Sequence, residues 1–220
     1  MSVFWHNGRA VILTWALLDL ARNPSTQSKL RQELIAFDVD PTYDQMASNL
    51  SYLDAVVHEI LRLHPPISEF VREVRCVIKQ LYSLFFNDLK CVVPPLQASE
   101  DDIIPLSQPV RTRFGDVVNS ITVARGTEVG INVASINRSV VVWGPDAKTF
   151  RPERWLEEGG IPKGAQEVQG YRHLLTFVDG PRSCLGKGFA MTEVKVLVLT
   201  TLHRRWHIDT HPHRQSCQFW

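Results

Sequence analysis

Apolar residues along this chain fall into short stripes at helical spacing, cut by prolines. From Ala10 to Leu20 the pattern predicts a helix, and the RNPS run at 22–25 stops it, because proline lacks a backbone donor and restricts the residue before it. SKLRQELIAFD predicts the start of another helix. In PTYDQ, Thr42 and Gln45 have the spacing of a capping box, and Leu53, Val56, Val57, Ile60 and Leu61 then form an i, i+3, i+4 stripe that Pro65 and Pro66 end, a helix over about 50–64. Further on, β-branched SITVA and the following TEVGINV predict a hairpin turning at Ala124, Arg125 and Gly126. WGPDAKTFRPERW reads as ordered coil, and Leu185, Phe189, Ala190, Val194, Leu197, Val198 and Leu202 predict a last helix over about 186–203. The architecture expected is mainly α with small β-sheets.

Length and charge narrow the picture little. The 220 residues suit one domain or part of one, and a net charge of +1 gives no basic footprint for nucleic acid. The longest early apolar stretch, Ala10 to Ala21, is interrupted by Asp19 and is shorter than the roughly 20 residues of a membrane span, so no anchor is expected within the chain. Four cysteines, Cys76, Cys91, Cys184 and Cys217, lie far apart without a secretory signal pattern, which argues against a disulfide framework.

Cys184 stands in FVDGPRSCLGKG, at a loop-to-helix junction. Arg182 two residues before it, and a helix opening after it, suit an anionic sulfur. Gly180 and Gly186 suit positive φ or the close approach of a flat ligand, while Phe177 and the apolar HLLTFV run keep water from a metal–thiolate bond. Phe177, Gly180, Arg182, Cys184 and Gly186 together resemble the haem-binding signature of the cytochrome P450 family, F-x-x-G-x-R-x-C-x-G, in which the cysteine thiolate is the axial ligand of iron. The bland alternative is a buried structural cysteine in a glycine-containing turn.

Two further segments resemble the same family. Glu59 and Arg62, followed by LHPP, are similar to its E-x-x-R helix, and Arg154 in FRPERW to its P-E-R-F-like meander, with Trp155 where phenylalanine is usual. The resemblance implies that Glu59, Arg62 and Arg154 form a buried network. It also implies that Arg182 and Arg72 contact haem propionates. The fold implied is the haem-ligating, carboxyl-terminal half of a P450 domain, most like fungal microsomal-type members, and the cofactor is haem ligated by Cys184. The implied activity is monooxygenation of a small organic substrate with O₂ and electrons from an NADPH-cytochrome reductase. The family implies a location at the cytoplasmic face of the endoplasmic reticulum membrane.

The likeness runs from about Leu13 to Leu202, less than half of a usual member, and departs from the pattern in three places. Asn7 and Gly8 stand where the family's central helix carries the acid and threonine that deliver protons, so no catalytic acid–base residue is assigned. Residues from about 75 to 98 read as an insertion, expected to be either translated non-coding sequence or an added helix for a membrane or partner, with Val77, Leu81, Leu84, Phe85 and Leu89 on one face. The tail over 203–220 is atypical, and its His203, His207, His211, His213 and Cys217 offer ligand types for zinc or copper. Three functions therefore stay open: a haem-thiolate monooxygenase, an incomplete non-catalytic chain, and a transition-metal binder through the tail.

Overall fold

A computed structural model of the chain describes residues 2–36, 42, 45–46, 50–72, 101–180 and 183–203. They are mainly α-helical with two small antiparallel sheets, and the chain divides into two compact units, residues 1–68 with 133–220, and residues 69–132. The expected insertion at 75–98 lies outside the described residues, as does the tail beyond His203.

The first unit is built on helices α1 (Ser2–Arg22), α2 (Pro24–Ile35), α3 (Ser51–Leu63) and, nearer its end, a long helix over Lys187–His203. α1 begins eight residues before the predicted start at Ala10, since nothing in its first turns breaks a helix and Gly8 lies against Pro66. Ile12, Ala16 and Leu20 bury its inner face. The RNPS segment ends one helix and begins the next. Asn23 Nδ2 donates to the Asp19 carbonyl at 2.8 Å, and Pro24 opens α2 where its missing donor costs nothing, four residues ahead of the predicted Ser28. The Thr42–Gln45 box forms, with Thr42 N donating to Gln45 Oε1 at 2.8 Å and Gln45 N to Thr42 Oγ1 at 3.4 Å. The start of α3 is held from outside instead, by Glu33, whose carboxylate accepts the N–H groups of Tyr52 and Leu53 at 2.8 Å each. α3 is the central element. From Ala55 to Leu63 every residue is buried, charged ones included, beneath α1, α2 and the last helix.

The second unit holds β1 (Phe70–Arg72), β2 (Asp102–Arg111), β3 (Val117–Val123) and β4 (Val129–Ile131). Here the predicted hairpin is corrected. β3 pairs with β2, Asp102 opposite Val123, and β4 pairs with β1, Phe70 opposite Ile131. The turn after Ala124 is present, but the tight hairpin turn lies at Thr112–Asp116, where Gly115 adopts φ +95° and Thr112 N donates to the Asp116 carbonyl at 2.8 Å. Pro105 and Pro109 hide β2 as a strand in the sequence, and the register slips between Pro105 and Val110.

Back in the first unit, short helical turns follow at α4 (Val133–Asn137), α5 (Val140–Trp143), a 3₁₀ turn (Pro152–Trp155) and α6 (Lys163–Gln166), before the last helix, α7 (Lys187–His203). The expected coil over WGPDAKTFRPERW thus carries one 3₁₀ turn, and that turn packs on α3.

Candidate functional site at Cys184

The chain approaches Cys184 through a segment pinned to α3. Thr176 Oγ1 donates to the Leu61 carbonyl at 2.9 Å and accepts from Asn137 Nδ2 at 2.9 Å, and both side chains are buried. Next come two unusual backbone positions. Val178, β-branched, takes φ +59°, a conformation costly for such a residue, and Gly180 takes φ +82°. These two positions fold the chain back so that Cys184 N donates to the Phe177 carbonyl at 2.9 Å and Ser183 N to the Gly180 carbonyl at 3.0 Å. Phe177 is buried, with its ring edge-on to Tyr171 at 5.9 Å, and Lys187 at the head of α7 lies 4.4 Å from the centre of the Tyr171 ring.

Within this frame Cys184 is exposed, which removes the alternative of a buried structural cysteine. Leu185 is 101% and Phe189 65% exposed, so apolar surface flanks the thiol. An ideal Cβ at Gly180 would meet nothing within 4 Å. For Gly186 the first of its two expected roles, positive φ, is excluded and the close approach of a flat ligand is left. Among the described residues its φ is not positive, and its carbonyl accepts the Ala190 N–H at 2.9 Å, which makes it part of the first turn leading into α7. Arg182 and the side chain of Arg72 lie outside the described residues.

Glu59, Arg62 and Arg154 are brought together and are 0%, 0% and 1% exposed. Arg62 grips Glu59 with two bonds, Nε to Oε2 at 2.9 Å and Nη2 to Oε1 at 2.8 Å, and spends its remaining donors on the carbonyls of Asn137, Ala147 and Thr149. Arg154 Nε donates to Glu59 Oε1 at 3.1 Å, and Arg151 N to the same oxygen at 3.0 Å. Trp155 Nε1 donates to Glu59 Oε2 at 3.0 Å, a bond that a phenylalanine there cannot make. Arg154 also reaches Asp146 at 3.2 Å. Burial by itself would raise the Asp146 carboxyl, but the charge and hydrogen bond of Arg154, then the charge of Arg151, hold it below its usual range.

A second charged cluster escaped the sequence reading. Asp54 receives Lys195 Nζ from α7 at 2.7 Å and lies 3.3 Å from His58 Nδ1. Burial opposes ionisation of Asp54, yet the His58 and Lys195 contacts outweigh it and push its carboxyl well below the ordinary value. His58, 1% exposed, lies between Trp155 and Tyr171 at ring distances of 5.3 and 5.6 Å. The only sequence signal was the i, i+4 spacing of Asp54 and His58.

As a donor set, Cys184 offers a single sulfur ligand, since no group of three or more His, Cys, Asp and Glu side chains converges among the described residues. One sulfur beside exposed apolar surface suits a flat macrocycle that brings its own equatorial nitrogens, better than a bare ion that needs a closed protein cage. The residues present therefore fit haem.

Set against known proteins, this helical frame with its cysteine loop has a clear place. The cytochrome P450 family profile matches residues 8–85 and 101–218. The chain is 50% identical to cytochrome P450 monooxygenase claO of Ampulloclitocybe clavipes, over 90% of this chain and 32% of that protein, and 49% identical to claQ of the same fungus, over 91% and 33%. The chain belongs to the cytochrome P450 family, and it spans about a third of the length of these relatives. Among the described residues no helix is long and apolar enough to cross a membrane.

Proposed function

We propose that the chain holds haem iron through the Cys184 thiolate and serves the monooxygenation of a small organic substrate, with an NADPH-cytochrome reductase supplying electrons. The observation that carries this reading is the exposed Cys184 on a loop fixed at both ends, by the Phe177 carbonyl on one side and the head of α7 on the other, with Leu185 and Phe189 open beside it. Two relatives named as monooxygenases support it. When bound, haem would supply the oxygen activation.

The protein's own residues then have separate tasks. Thr176 and Asn137 hold the approach to the loop, so that the thiol presents one coordination side. The Glu59–Arg62–Arg154 network locks α3 to the 3₁₀ turn and, through the Asn137 carbonyl, to the residue that holds Thr176 next to Phe177. Arg182 and Arg72 would pair with the haem propionates through charge-assisted hydrogen bonds. The place of action would be the cytoplasmic face of the endoplasmic reticulum.

Proton delivery is the weak point. Asn7 and Gly8 cannot act as acid or base, and positioned acid–base groups contribute roughly 10²- to 10⁴-fold. Expressed with haem supply and a reductase, the chain should therefore consume more NADPH than it converts into product. Coupled turnover at the rate of a complete family member would overturn the claim that these positions matter. Failure to take up haem would overturn the ligand assignment itself.

A further inference from the structure

Away from Cys184, a cleft of about 600 Å³ opens in the first unit where the ends of α1 and α3 meet α4 and the coil before the 3₁₀ turn. Three basic side chains, Arg22, Arg138 and Lys148, stand on its wall. Its one acid, Asp19, is already engaged, with Oδ2 2.8 Å from His64 Nε2. Arg138 Nε donates to the Ala134 carbonyl at 3.1 Å, while Arg22 and Lys148 form no ion pair among the described residues. Leu63 and Phe150 add apolar wall. Trp15 stacks flat on His64 at 4.2 Å, which holds that ring, and with it Asp19, in place.

Three cations around one concavity raise its potential, and a bound anion relieves their repulsion while the apolar wall rewards a carbon body. One carboxylate cannot balance three cations, and Asp19 is also held in a hydrogen bond with His64. We propose that this cleft binds a small organic anion, a carboxylate or phosphate group carried on an apolar body. None of Cys184, Glu59, Arg62 and Arg154 lines it, so the assignment stands apart from the haem reading.

The test is calorimetric titration of phenyl phosphate into the full 220-residue chain at low salt. Binding should be saturable and should weaken by about tenfold or more in the Arg22→Gln/Lys148→Gln double variant, since hydrogen bonds to charged groups are each worth about that factor. Both side chains are exposed, so the double variant should keep its far-UV circular dichroism. Affinity in the unaltered chain should also fall as salt rises from about 10 to about 200 mM. No saturable binding, an affinity unchanged in the double variant, or one indifferent to salt would each overturn the site. Equal affinity for inorganic phosphate would overturn the assignment to an organic anion.

Discussion

Replacing Glu59 by glutamine keeps the shape of the side chain and removes its charge, and the structure says what must follow. The two carboxylate oxygens accept from five donors: Arg62 Nη2, Arg154 Nε and Arg151 N on Oε1, and Arg62 Nε and Trp155 Nε1 on Oε2. An amide can offer oxygen to only one of these sets. The better choice leaves its NH₂ facing Arg62 Nε and Trp155 Nε1, donor against donor, and strips two buried guanidinium groups of their shared anion. Removing one partner of a buried ion pair costs about 3–5 kcal/mol, because the remaining charge stays desolvated. For a chain of this length 1 kcal/mol moves Tm by about 2–4 °C, so Glu59→Gln should lower Tm by about 6–20 °C. Differential scanning calorimetry of the two chains reads this directly. A double-mutant cycle with Arg154→Met should show a coupling of about 1–3 kcal/mol. A Tm loss under about 2 °C, or additive single effects, would refute the claim that these groups act as one buried network.

Three other changes test neighbouring claims. Trp155→Phe removes one charge-assisted bond to Glu59 and should cost about 1.5–3 kcal/mol in urea denaturation, whereas an effect below about 0.5 kcal/mol would assign that indole to packing alone. Thr176→Val deletes the bonds to the Leu61 carbonyl and Asn137, so amide exchange at Cys184 should accelerate more than exchange within α7, and uniform acceleration would contradict the pinning role. Asp54 and Asp146 have folded-state pKa values below the unfolded value of about 3.9, so their contribution is present above that pH and lost as pH falls through the lower folded values. Asp54→Asn should accordingly flatten the acid limb of stability below about pH 4, and an unchanged limb would count against the Lys195 and His58 contacts.

What could be read in advance depended on how local the cause was. The α3 and α7 boundaries followed from apolar spacing and from Pro65, all within a few residues of the ends they set. Glu59 and Arg62 lie one turn apart, so their pairing was visible, whereas Arg154 joins from about ninety residues away and was reachable only through the likeness of FRPERW to a known pattern. Strand pairing failed because SITVA has two possible partners of similar sequence quality, and the true one carries two prolines. The Asp54–His58–Lys195 cluster was missed for a different reason. Periodicity marks the buried face of a helix by its apolar residues, and α3 is buried on nearly every side, so apolar spacing gave no sign that His58 is buried or that Lys195 reaches Asp54. Trp155 looked like a departure from pattern, and its indole N–H turns out to serve Glu59.

The central claim is that Cys184 is the ligand of the haem iron. It is tested most directly by loading the purified chain with haem, reducing it under carbon monoxide, and recording the Soret band beside that of a Cys184→Ser chain. Thiolate ligation by Cys184 predicts the red-shifted band of haem-thiolate proteins in the first chain and its loss in the second. A red-shifted band that survives Cys184→Ser and disappears with Cys217→Ser would contradict the account.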